Sequence, residues 1–73
     1  MERTVFAEIR VGEPFLFATK EVEGQKLYTK EEEARRAYTP EAWSNASFGW
    51  RTNESEGRTF FYVTPTTPVF RLD

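Results

Sequence analysis

Glutamates at 31, 32 and 33, followed by arginines at 35 and 36, are the densest group of chemically capable side chains in this sequence. Paired carboxylates do general acid–base work when a pocket pushes their pKa values apart. A helix start explains them without catalysis. Thr29 can act as an N-cap, with Glu32 three residues later completing a capping box. Glu31, Glu32 and Glu33 then occupy the positive first turn, with Arg35 and Arg36 near the negative end. Glu31–Arg35 and Glu32–Arg36 are i,i+4 pairs of the favourable orientation. The pattern predicts a helix over about 30–38. Thr39-Pro40 interrupts it, and a further turn can follow through Glu41, Ala42 and Trp43.

Other catalytic equipment is missing. The chain has no cysteine and no histidine, which removes the common nucleophile–base pairs and the familiar structural zinc ligands. Neither a P-loop nor a dinucleotide fingerprint is present, and the glycines are scattered singly at 12, 24, 49 and 57. The expectation is a non-catalytic binding protein with no cofactor and no metal.

Binding capacity lies in the aromatics: seven Phe, three Tyr and two Trp, 16% of the chain. Two surfaces are candidates. The first is the helical segment, where Arg35, Arg36, Tyr38 and Trp43 would contact a partner, Trp43 foremost. The second is an aromatic face on a hairpin, with Phe48, Trp50 and Arg51 on one strand and Arg58, Phe60 and Tyr62 on the other. Such a face can stack bases or form a protein hot spot. The plainer reading makes Phe48, Trp50, Phe60 and Tyr62 the inside of a barrel.

The elements that would position these residues are short and extended. In 3–11 Val5, Ala7, Ile9 and Val11 alternate with polar residues, predicting a strand with one buried face and Phe6 as an apolar exception. Gly12-Glu13-Pro14 breaks it, and Phe15-Leu16-Phe17 resumes as a second strand. A turn at 22–25 leads to a short strand at Lys26-Leu27-Tyr28. After the helix, Ala46, Phe48, Trp50 and Thr52 share one face of a strand, and 53–57 is a polar turn. Residues 58–63 are apolar on both faces, as expected of a central strand or one that meets a partner. A Pro-stiffened bend at 64–68 precedes a final edge strand, Val69 to Leu72. The fold expected is mainly β (α+β): one domain, 1–73, with a small, strongly bent antiparallel sheet or barrel of five to six short strands and one helical insertion at about 30–43.

Three runs carry a resemblance: Ala7-Glu8-Ile9-Arg10-Val11-Gly12-x-x-Phe15-x-Phe17; Leu27-Tyr28-Thr29-Lys30; and Phe60-Phe61 followed by Thr64-Pro65-x-Thr67-Pro68-Val69. In these the chain resembles small phage- and prophage-encoded β-rich proteins of uncharacterised function. Residues 31–52 depart from that pattern. The resemblance implies an accessory protein acting inside a bacterial cell and implies no site residues.

A net charge of −2 argues against a duplex-DNA binder. No apolar run approaches the roughly 20 residues of a membrane span, and the N-terminus lacks the pattern of a signal peptide, so a cytoplasmic, membrane-free protein is expected. The leading expectation is a phage-like accessory protein that binds a host macromolecule, a host protein first of all, as an inhibitor of a defence or gene-expression component. The alternatives are a nucleotide or single-stranded nucleic-acid binder using the aromatic–arginine face, and a structural subunit that self-assembles into a homo-oligomer.

Overall fold

The computed structural model describes residues 1–35, 43–49 and 57–72. They build one six-stranded antiparallel sheet. Its strands are β1 (Glu2–Val5), β2 (Pro14–Phe17), β3 (Tyr28–Arg35), β4 (Trp43–Gly49), β5 (Arg58–Phe61) and β6 (Pro68–Arg71). The order across the sheet is β1-β6-β2-β3-β4-β5. β1 and β5 are the two edges and do not pair, so the sheet is open and not a barrel. The final strand, β6, is internal between β1 and β2, whereas the sequence pattern had made it an edge.

Among the described residues there is no α-helix, only a 3₁₀ turn at Phe6–Glu8. The segment expected to be helical over about 30–43 is strand β3 as far as Arg35, and Trp43, expected in a further helical turn, opens strand β4; residues 36–42 fall outside the described residues. Pairing with β4 accounts for the difference, since Lys30, Ala34 and Arg35 stand opposite Ala46, Ser44 and Trp43. Thr29 faces Pro14 across one ladder and Ser47 across the other. A helix this short is marginal on its own in water, and the ladder to β4, anchored by β2 at its start, outweighs its caps and charge pairs. The register between β3 and β4 shifts between Lys30 and Ala34, marking a bulge in the glutamate run.

The first strand also departs from simple alternation. It ends at Val5, and the 3₁₀ turn then places Phe6 and Ile9 together in the core while Val5, Ala7 and Val11 stay exposed. Side chains three apart eclipse in a 3₁₀ turn, so an i,i+3 pair replaces the expected period of two.

The core occupies one face of the sheet. Tyr28 is its hub, standing directly opposite Phe15 on β2 and Phe48 on β4, a row of rings running across the sheet. Ring centroids lie 4.8 Å from Tyr28 to Phe17 and 5.7 Å from Tyr28 to each of Phe15, Phe48 and Phe61, most of them edge-on. Edge-to-face packing suits the quadrupole of each ring. Phe6, Ile9, Val63 and Val69 complete the cluster. The segments on either side of the strands close over this face: the amides of Phe6 and Ala7 donate to the carbonyls of Thr67 and Pro65.

Candidate functional site

The core row does not end in a closed interior. Phe17, Tyr28, Phe48 and Phe61 continue into an open groove of about 410 Å³. This volume is at the small end of ligand pockets, room for one ring system or one anchoring side chain. Lys20, Tyr62 and the hydroxyl-bearing Thr64 and Thr67 complete the lining.

Two side-chain amides hold the walls of the groove. On the Lys20 side, Gln25 accepts from the Phe17 amide at 2.9 Å and donates to the Phe17 carbonyl at 3.0 Å. Its Nε2 also donates to the Glu21 carbonyl at 3.0 Å, which ties the 18–25 turn to the end of β2. On the far side, the β4–β5 ladder reaches Ala46–Phe61. Beyond that pair Asn45 takes over, its amide bonded to both the N–H and the C=O of Val63. An amide side chain carries a donor and an acceptor and so can replace one peptide unit of a ladder.

Two lysines lie over the rings of the groove, Lys20 in its lining and Lys26 outside it. Lys20 Nζ lies 4.9 Å from the Phe17 ring centre and 5.7 Å from that of Tyr28. Lys26 Nζ lies 5.0 Å from the centre of Phe48. Cations at such distances are held by the ring quadrupole. Among the described residues neither lysine has a carboxylate at ion-pair distance. Other basic groups are engaged: Lys30 donates to the Phe6 carbonyl, Arg58 pairs with Glu31, and Arg71 pairs with Glu2 and Glu13.

The residues expected to bind are distributed differently from the sequence reading. Phe48 and Tyr62 line the groove, Tyr62 with nearly half its surface exposed (47%). Arg58 and Phe60 lie on the opposite face of the sheet. Phe48 stands across from Thr59, and Phe60 across from Ser47, so Phe48 and Phe60 do not share a face. Shifting a pairing by one residue moves a whole strand's side chains to the other side. On that other face Arg58 stacks 5.4 Å from the Phe60 ring and donates to Glu31 and Ser47. Trp50 and Arg51 lie outside the described residues. Of the other candidate group, Trp43 and Arg35 stand opposite each other at the far end of the β3–β4 ladder, both exposed. Arg36 and Tyr38 lie outside the described residues.

Sequence reasoning passed over Phe17, Tyr28 and Phe61 as strand residues and gave Lys20 and Lys26 no role. The spacing of Phe15 and Phe17 is a core signal. That the core should remain open at this end is decided by long-range register, which no local pattern carries.

Among the described residues no group of acidic side chains is placed to hold a metal, and no helix is long and apolar enough to cross a membrane. No family model, curated protein or solved structure matches the chain.

Proposed function

We propose that this protein is a non-catalytic, phage-like accessory protein that binds a host protein through the aromatic groove, blocking a defence or gene-expression component by occupancy alone. One observation carries the reading. Phe17, Tyr28, Phe48 and Phe61 line a groove that opens to solvent, with the half-exposed Tyr62 at its rim. Phe17 and Tyr28 form its buried floor, and the aromatic surface left open is that of Phe48, Phe61 and Tyr62, at a cost of roughly 25 cal/mol for each Å² that could have been buried. Aromatic side chains around a concave patch are what dominates binding energy at protein interfaces. The chain's lack of cysteine and histidine fits action by occupancy.

The test is capture from a bacterial lysate on immobilised wild type, Tyr62→Ala and Trp43→Ala. The reading expects a specific protein held by wild type and Trp43→Ala and lost from Tyr62→Ala. Nothing retained by wild type, or retention indifferent to Tyr62, would falsify it.

A further inference from the structure

The groove does not stop at Phe48. Phe48 also lines a second depression of about 340 Å³, together with Lys26, Leu27 and Gly49. The two depressions share Phe48, and each has a lysine at its edge. Their linings differ. The first is a cluster of rings, whereas the second is walled by Leu27, whose side chain is half exposed (52%).

From this arrangement, and resting on the groove as the binding site, we infer the chemistry of the occupant. It is an extended acidic peptide segment of the partner, with an aromatic side chain in the ring-lined depression and an aliphatic one against Leu27. The two straddle Phe48, and carboxylates between or beside them meet Lys20 and Lys26.

Three features favour this occupant over a nucleic-acid strand. Two apolar depressions that share one ring suit alternate side chains of an extended chain, which fall on one side. A strand of bases wants a ring to stack on at each position, and the second depression offers an aliphatic wall. The local charge is also small. Lys20 and Lys26 share their turn with Glu21 and Glu23, and the whole chain is net −2, so little counterion release is available to a polyanion. One or two carboxylates are met by the two lysine ammoniums, which have no carboxylate of their own among the described residues.

Fluorescence anisotropy with four labelled probes tests the inference. The first is a peptide with two glutamates flanking a tryptophan and a leucine set two positions apart. The second has lysines in place of the glutamates, the third has alanines in place of the two apolar residues, and the fourth is an oligothymidylate. The acidic tryptophan–leucine peptide is expected to bind at least tenfold more tightly than each of the others. The Lys20→Glu, Lys26→Glu double variant is expected to invert the preference between the first two peptides. Both lysines are exposed, so this variant keeps the core intact, and its circular dichroism spectrum checks that it is folded. Tighter binding of the oligothymidylate, or a peptide preference that the double variant does not invert, overturns the inference. If the acidic peptide fails while a lysate protein is still lost from Tyr62→Ala, the groove stands as the site and only this occupant is wrong.

Discussion

Asn45 and Val63 exchange two hydrogen bonds across the gap where β5 leaves the sheet. The Asn45 Nδ2 donates to the Val63 carbonyl at 2.9 Å, and the Val63 amide donates to Asn45 Oδ1 at 2.8 Å. Both bonds are buried, and Val63 is a core residue. This one side chain therefore lets the chain turn away from β4 and form the far wall of the groove without leaving a peptide unit unsatisfied.

Replacing Asn45 with Ala should strand both polar groups of Val63. An unpaired buried group costs about 1–3 kcal/mol, so a loss of about 2–6 kcal/mol is expected for the pair. Asn45→Asp is the sharper variant, nearly identical in shape but unable to donate when ionised, and it should also destabilise. Urea unfolding followed by circular dichroism gives both values. An Asn45→Asp protein as stable as wild type at neutral pH would mean that the Val63 carbonyl finds another donor.

Gln25 plays the matching part on the other wall, but in a more exposed setting. Its bonds to Phe17 are partly buried, and its bond to the Glu21 carbonyl is exposed. Gln25→Ala is accordingly expected to cost less, about 1–2 kcal/mol. Its larger effect should be on binding, because the turn that Gln25 fixes carries Lys20. Weakened affinity for the partner, with a fall in unfolding midpoint smaller than that of Asn45→Ala, is the expected result. The opposite pattern, lost stability with full affinity, would separate the turn from the site.

On the face away from the groove, Glu31 accepts from both Arg58 and Ser47, joining β3, β4 and β5. The Arg58 and Glu31 side chains are about four-fifths buried, at 22% and 19% exposure, so screening by water is reduced. A double-mutant cycle with Glu31→Gln and Arg58→Gln should return a coupling of about 1–2 kcal/mol, well above that of an exposed pair. Raising the salt concentration should lower it only slightly. A coupling near zero would mean that burial of the two charges cancels their attraction.

This same cluster shows where the sequence was readable and where it misled. The breaks were legible: Gly12 and Gly24 both take positive φ, in the turns where glycine was expected to punctuate the chain. Phe15-Leu16-Phe17 is a strand as expected, and its two phenylalanines point into the core. Glu31 was misread because its charge pattern satisfies helix chemistry locally. Its true partners, Ser47 and Arg58, are 16 and 27 residues away in sequence. The hairpin aromatics failed for a related reason. Which of Phe60 and Phe61 shares a face with Phe48 depends on the parity of the connection between β4 and β5, and a polar turn tolerates either. The mainly β class follows from composition and punctuation, whereas the open groove follows from register.

The aromatic residues divide by what they touch, and the division can be measured. Phe15 is fully buried and contacts the rings of Phe6, Phe17 and Tyr28. Phe15→Ala should cost about 3–5 kcal/mol through lost transfer energy and the cavity left behind. That is a large share of the roughly 5–15 kcal/mol that holds a domain together, so partial unfolding at room temperature is expected. Tyr62 is half exposed and belongs to no strand, and Tyr62→Ala should shift stability by no more than about 0.5 kcal/mol. Its removal should nevertheless weaken partner binding by at least tenfold, about 1.4 kcal/mol, as expected of an aromatic at the rim of a contact site. Thermal unfolding beside a binding isotherm for each variant separates the two effects. A Tyr62→Ala protein that is destabilised as strongly as Phe15→Ala would assign Tyr62 to the core, leaving the groove without the ring that makes it a site.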